Sequence, residues 1–251
     1  LLKEGREYKA IQTTGFNPYL IGSEEIESIL WKELQPYIDN NGVSKIYYYG
    51  AGCSTATKNQ TVETAFEKVF PSARISIDHD MLGAARSLCG NNASIAAILG
   101  TGSNSCYYDG QWITDHIFSL GFFFGDEGSG AYMGKHLMSA FLHNELPPEL
   151  SKALVEEYPM SKESILDAIY NKPAPSRFLA SFSTFILEHS EHPFIYELIL
   201  NNFRSFYKYQ VACYPHHKEV PVNFVGSVAY HYQSFLHEVG KEFETSVGRI
   251  I

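Results

Sequence analysis

Apolar residues along the chain switch repeatedly between a spacing of about 3.6 and short continuous runs, which predicts alternating helices and strands. Ile26, Ile29, Leu30 and Leu34 fall on one face of a helix that Ser23 caps, with Glu24 and Glu25 complementing its N-terminal dipole. Residues 45–49 read as a strand, 60–70 as a helix presenting Val62, Ala65, Phe66 and Val69, and 74–77 as a second strand. Residues 81–88 then form a short helix and 94–99 a buried strand. From Gly128 to about Gln210 the pattern is almost wholly helical, broken by turns at Leu146-Pro-Pro148 and Lys172-Pro-Ala-Pro175. A strand returns at 222–225 and a helix at 228–239. At the start, Leu1-Leu2, a turn at Lys3-Glu-Gly-Arg6 and a strand over 7–13 make a hairpin with a two-residue first arm, so more chain is expected upstream of Leu1. This alternation predicts an α/β protein with a substantially parallel sheet whose ligands sit at the carboxyl ends of the strands. The polar Gly90-Asn-Asn92 turn between helix and strand marks a domain boundary, dividing the chain into 1–91 and 92–251.

Composition narrows the function classes. Hydrophobic residues make up 45% of the 251 positions and aromatics 14%, ample for a core. With 28 acidic against 19 basic residues the net charge is −9, which argues against nucleic acid as a partner, since phosphate contacts need clustered Lys and Arg. No apolar run approaches the roughly 18 residues of a membrane helix. The opening residues lack the basic-then-apolar order of a leader peptide, so a soluble, cytoplasmic protein without a membrane partner is expected. Cys53, Cys89, Cys106 and Cys213 form no CxxC pair and read as buried, reduced thiols rather than metal ligands. His189 and His192, or His216 and His217, lack a third ligand at a metal-binding spacing. Phe203, Phe206, Tyr207 and Tyr209 read as core, the alternative being a homodimer face.

Three segments carry candidate chemistry. The strand ending at Leu99 runs into Gly100-Thr-Gly-Ser-Asn104, where backbone N–H groups with Thr101, Ser103 and Asn104 suit a phosphate or sugar hydroxyl. A tight hairpin leading to Cys106-Tyr-Tyr-Asp-Gly110 accounts for the same residues equally well. Next, Gly121, Gly125, Gly128 and Gly130 enclose Asp126 and Glu127 at the start of a helix, either as a close-approach ligand loop or as dipole-complementing caps. Finally, Asp78-His-Asp80 ends a strand and abuts a helix, placing a carboxylate where it can accept a proton or cap the helix. Two phosphate motifs do not apply. Five residues rather than four separate Gly128 from Gly134 and His136 stands in the Ser/Thr position, while Ser105 replaces the last glycine of a dinucleotide fingerprint.

Taken in order, Thr14-Gly-Phe-Asn-Pro-Tyr-Leu-Ile-Gly22, Asp80-Met-Leu-Gly-Ala-Ala85, Leu99-Gly-Thr-Gly-Ser-Asn104, Gly121-Phe-Phe-Phe-Gly-Asp-Glu-Gly-Ser129 and Phe224-Val-Gly-Ser-Val228 resemble the N-acetylglucosamine kinase and BadF/BadG-type ATPase group of the actin-like, sugar-kinase and Hsp70 superfamily. The resemblance implies an α/β fold of two RNase H-like domains closing over a cleft for ATP, with Mg2+, and an amino sugar. It implies Asp80 as general base on the sugar hydroxyl, and Asn17, Ser103, Asn104, Gly121 and Asp126 as sugar-binding residues. By the same analogy Thr101 faces the ATP phosphates, and Gly226, Ala180 and Tyr230 border the adenosine. The transfer is in line, with no covalent intermediate. The family's opening strand and Asp-Gly phosphate loop have no counterpart in this sequence and are expected upstream of Leu1, and a last helix is expected beyond Ile251. Ser119 and Leu120 stand where the kinases often have Gly-Trp. The alternatives are a BadF-type ATPase that activates a partner enzyme, which the scattered cysteines disfavour, and a sugar-binding module without turnover.

Overall fold

In the computed structural model, which describes residues 1–3 and 6–251, the chain divides into two units, Leu1–Gly83 and Ala84–Ile251. The first opens with β1 (Leu2–Lys3) and β2 (Arg6–Glu7), antiparallel, with Leu2 opposite Glu7. The predicted turn there falls on Glu4 and Gly5, outside the described residues. Of the strand expected over 7–13 only Glu7 is in a ladder, because the partner strand offers two residues. Helix α1 (Ser23–Glu33) begins at Ser23 itself, so Gly22, extended at φ −88° and ψ 175°, is its cap and no side chain caps it. Glu24 and Glu25 in the first turn complement the dipole instead.

β3 (Lys45–Gly50) and β4 (Arg74–His79) run parallel, with Tyr49 opposite Asp78 and Gly50 opposite His79. The crossover between them is α2 (Ala56–Val69), whose cap Thr55 accepts the Lys58 N–H at 3.3 Å through Oγ1. Val62, Ala65, Phe66 and Val69 of α2 and Ile26 and Leu30 of α1 are buried together, and Ile46, Ile75 and Ile77 of the sheet pack against them. Each fully buried Val, Leu, Ile or Phe among them contributes about 1.5–3 kcal/mol through removal from water.

The division between the units falls within α3 (Asp80–Cys89). In the second unit β5 (Ser94–Leu99), β6 (Ser103–Tyr108) and β7 (Ile113–His116) form a meander, followed by the short α4 (Gly121–Phe124) and by α5 (Gly130–Leu142). The helical array continues through α6 (Pro148–Glu157), α7 (Lys162–Tyr170), α8 (Pro175–Ala180), α9 (Ser183–Glu188) and α10 (Pro193–Phe206), which ends in a π-helical turn at Tyr207–Val211. β8 (Val222–Val225), α11 (Ser227–His231), α12 (Gln233–Glu242) and β9 (Val247–Ile250) complete it. The sheet order is β7-β6-β5-β8-β9, with β5, β8 and β9 parallel and β6 and β7 antiparallel. The sheet is therefore mixed, more antiparallel than expected. Its central strand β5 is an apolar run because elements cover both its faces.

Ile95, Leu99 and Phe224 of the sheet share a core with Phe203, Phe206 and Tyr207, whereas Tyr209 is 47% exposed, since the π turn rotates it outward. The single helix expected over 228–239 is broken at Tyr232, whose buried ring and hydroxyl, donating to the Ser183 carbonyl at 2.5 Å, turn the backbone out of the helical register. Ser105 ties β6 to the helical layer through the Gln210 carbonyl at 2.7 Å and the Tyr214 hydroxyl at 2.9 Å. Close approach of α5 to α8 depends on Gly134, where a Cβ would overlap the Leu179 carbonyl. Among the described residues no helix is long and apolar enough to cross a membrane.

Cys53, Cys89 and Cys106 are buried, as expected, but Cys213 is exposed at the end of the π turn. Burial pushes the Cys106 thiol up to about 12. Thiol titration of the native protein at mildly alkaline pH is thus expected to modify Cys213 rapidly and the other three only after denaturation. Rapid modification of Cys106 in the native state would contradict its burial.

Candidate functional site

In the first unit the informative residues gather at the carboxyl ends of β3 and β4. After β3 the chain turns tightly, the Cys53 N–H donating to the Gly50 carbonyl at 3.2 Å. Gly52 sits at φ 83°, and a Cβ there would overlap the Asn17 side chain, so the turn must carry glycine for Asn17 to lie against it. Asn17 Oδ1 accepts the Tyr19 N–H at 2.9 Å, and its carbonyl accepts the N–H groups of Leu20 and Ile21. Asp80, half-buried, opens α3 directly after β4, and its Oδ1 accepts the Met81 N–H at 2.9 Å. Its charge is felt nearby. Burial, reinforced by Asp80 and Asp78, raises the Cys53 thiol, and burial followed by Cys53 and Asp80 raises the Tyr48 phenol. Gly83 allows α3 to pack on β3, since the Tyr49 Cβ lies 2.7 Å from where a Cβ would stand. A strand-end carboxylate with one oxygen held by a helix N-terminal amide can take a proton from a hydroxyl through the other.

In the second unit the loop after β5 is indeed a hairpin turn, with the Gly100 N–H donating to the Gly102 carbonyl at 3.0 Å. It also seats α5. The carbonyls of Gly100 and Thr101 accept the N–H groups of Gly130 and Ala131 at 2.9 and 3.1 Å, while the Thr101 side chain stays exposed. Ser103 is buried and its Oγ has no hydrogen-bond partner among the described residues. Such a buried orphan hydroxyl calls for a partner, which water or a ligand atom can supply. Beside it lies Asp126, whose Oδ2 would stand 2.8 Å from a Cβ on Gly102 and whose backbone is left-handed at φ 60°. Burial raises the Asp126 carboxyl and Glu127 adds to this, while the Ser103 N–H and the Ser119 hydroxyl oppose it. The Ser119 hydroxyl also accepts the N–H of Gly121, at 3.4 Å. Asn104 follows in β6, with Oδ1 accepting the Ser105 N–H at 2.9 Å.

Sequence reasoning singled out Ser103, Asn104 and Asp126, of which the structure brings Ser103 and Asp126 together, but did not identify Ser119 as a partner of Asp126. It also missed Asn202, a buried residue of α10 whose Oδ1 accepts the Gly128 N–H at 2.8 Å and so holds the loop after Asp126. Asn202 lies in no recognisable motif, and Ser119 departs from the Gly-Trp of its motif position. Of the other candidates, Gly226 caps α11 at φ 119°, and a Cβ there would overlap the Leu99 carbonyl. Tyr230 is 56% exposed, and the Ala180 Cβ lies 3.3 Å from where one on Gly130 would be. A crevice of about 270 Å3 opens between α9 and α11, lined by Ser183, Thr184, Leu187, Ser227 and His231 among others, though not by Ala180, Gly226 or Tyr230 themselves. Among the described residues no group of three His, Cys, Asp or Glu is arranged to hold a metal. His192 caps α10 and pairs with Glu149 at 3.1 Å, and His216 pairs with Glu219 at 3.0 Å.

The raised Asp126 carboxyl has a consequence for stability. The folded protein holds this proton more tightly than the unfolded chain, so stability falls as pH rises from the ordinary carboxylate value through the raised folded one. Asp126→Asn keeps an acceptor and tolerates the left-handed backbone. It is expected to raise Tm at pH 7 by about 2 °C, a gain that shrinks as pH falls towards about 4. Thermal melts at both values check this, and a gain independent of pH would remove desolvation as its source.

No family model and no curated protein matches the chain. Among solved structures, a candidate N-acetylglucosamine kinase from Porphyromonas gingivalis is 39% identical, with 100% of this chain and 89% of that one covered at a TM-score of 0.95. A second candidate N-acetylglucosamine kinase, from Chromobacterium violaceum, is 19% identical over 93% of this chain and 82% of that one, with a TM-score of 0.69, a likeness of fold. With identity of 39% sustained over its whole length, the chain belongs to the same family as the candidate N-acetylglucosamine kinase of P. gingivalis.

Proposed function

We propose that the protein is a sugar kinase that transfers the γ-phosphoryl group of ATP to a hydroxyl of N-acetylglucosamine or a related amino sugar. The observation that carries this reading is the whole-chain likeness to the candidate N-acetylglucosamine kinase of P. gingivalis. On this reading the functional domains are 1–91 and 92–251, each RNase H-like, and the protein works in the cytoplasm. Asp80 is the general base. With Oδ1 anchored on Met81, its carboxylate is oriented to remove the hydroxyl proton as the oxygen attacks phosphorus in line. Asn17, Ser103, Asn104, Gly121 and Asp126 bind the sugar, the unpartnered Ser103 hydroxyl gaining its missing hydrogen bond there. Thr101 lies by the phosphates, and Ala180, Gly226 and Tyr230 border the adenosine.

Mg2+ accompanies ATP in this chemistry and neutralises the charge that develops on the phosphates. The described residues offer no cluster of metal ligands, so they do not form a dedicated cage for it. An ion of this kind is held largely by the nucleotide's phosphates and its own waters.

The test is ADP release with Mg2+, ATP and a panel of sugars. Strong stimulation by N-acetylglucosamine over glucose is expected. Hydrolysis without sugar dependence would favour an ATPase that activates a partner enzyme, and sugar binding without ADP release would favour a binding module.

A further inference from the structure

We propose that the crevice between α5 and α10 binds a small uncharged molecule with a flat apolar body and a carboxamide-like head, and that Asn202 makes its occupancy felt at Gly128. The crevice has a volume of about 400 Å3, within the range of small-molecule sites. Its apolar surface comes from the buried Met133 and the partly buried Phe194 and Leu198. Tyr132 and His136 add an aromatic ledge, their rings 4.3 Å apart. A flat ring system suits such a surface.

The polar groups select the head. Asn202 lines the crevice and is only 2% exposed, and while its Oδ1 is engaged by Gly128, its Nδ2 has no partner among the described residues. That is a donor awaiting an acceptor such as a carbonyl oxygen. Acceptors lie on the other residues. His136 donates through Nδ1 to the Tyr132 carbonyl at 2.8 Å, the tautomer in which Nε2 is the acceptor. The Ser205 hydroxyl donates to the Asn201 carbonyl at 2.8 Å, which leaves its lone pairs. The unpartnered Asn202 Nδ2 with acceptors around it is the complement of a primary amide. No Lys or Arg lines the crevice, and its carboxylate, Glu197, is paired with Arg204 at 2.7 Å. A carboxylate ligand would therefore meet Glu197 in a chain of net charge −9 without a compensating cation in the lining.

The link to the loop is direct, because the same amide that lines the crevice holds the Gly128 N–H at 2.8 Å. A ligand that engages Nδ2 polarises and fixes that amide, and the Gly128 N–H reports the change.

The experiment titrates the full chain, 15N-labelled, with indole-3-carboxamide, and in parallel with 3-methylindole and indole-3-carboxylate, which share the ring and differ in the head. Saturable binding of the amide is expected at a Kd of about 1 mM or tighter, the scale for a ligand of this size. The other two are expected to bind about fivefold more weakly, the worth of one hydrogen bond, and the Gly128 amide resonance to move with the amide's saturation. Leu198→Trp, which fills the crevice, should weaken binding about tenfold with an unchanged melting profile. Ser205→Leu serves the same purpose if the first variant does not fold. Absence of saturable binding, equal binding in a folded, filled variant, equal affinity for all three compounds, or a Gly128 resonance that stays still at saturation would overturn the proposal. None of these readouts depends on turnover, so they stand apart from the test of kinase activity.

Discussion

Asp80→Asn is expected to lower sugar-dependent ADP release by about 10²- to 10⁴-fold, the range over which a positioned general base acts. The substitution keeps the oxygen that accepts the Met81 N–H, so the start of α3 and the end of β4 remain in place. What is lost is the group able to take the proton. The loss should therefore fall mainly on kcat, with the KM for sugar changed far less and the thermal melt within about 1 °C of the parent. Steady-state kinetics with a melt of the same sample measures both. Normal turnover by the variant would remove Asp80 from the role of base, whereas a collapse in melting temperature would recast it as a structural cap.

The second large effect concerns stability. Gly134→Ala places a methyl group where the Leu179 carbonyl already stands, and the clash is with backbone rather than with a side chain that can swing away. Helix α5 must then move from α8, opening the core that Met133 and Leu137 share with Leu179. A cost of about 3 kcal/mol is expected, lowering Tm by roughly 6–12 °C. Gly22→Ala is the comparison, since no heavy atom lies within 4 Å of a Cβ there and φ is an ordinary −88°. Urea unfolding of the two variants should separate them clearly. A Gly134 variant as stable as the Gly22 variant would show that the two helices can part without loss.

Much of this architecture was legible before any coordinates. Residues 94–99 read as a buried strand because six consecutive uncharged, mostly apolar positions between turn signals are too short for a helix and suit a strand covered on both faces, and β5 occupies just those positions. β6 and β7 were harder. Ser103-Asn-Ser-Cys-Tyr-Tyr108 carries polar residues into the sheet, and Ser105 is buried there only because Gln210 and Tyr214 meet it. The break at Tyr232 left no trace in the periodicity, since Val228, Tyr232 and Leu236 keep helical spacing and the kink arises from a distant carbonyl, that of Ser183. β9 has four residues and takes its strand character from β8 alone. In the candidate site, Asp80 could be read from a carboxylate placed between a strand and a helix. Asn17 depended on a family motif, and its seat against Gly52 is a tertiary fact. Ser119 and Asn202 act through partners too far along the chain, or too ordinary in type, for a local pattern to mark them.

The parallel pairing of β5 with β8, Ile95 beside Val222, also sets the order in which the second unit can assemble. The β5–β6 hairpin closes locally and quickly, but the other edge of β5 has no partner until the entire helical array has been synthesised and laid down. Until then Ser94-Ile-Ala-Ala-Ile-Leu99 exposes an uncharged, proline-free edge of the length and composition that stacks into cross-β fibrils. Slow translation or heat should thus make this segment, largely buried in the finished protein, the point at which nascent chains aggregate.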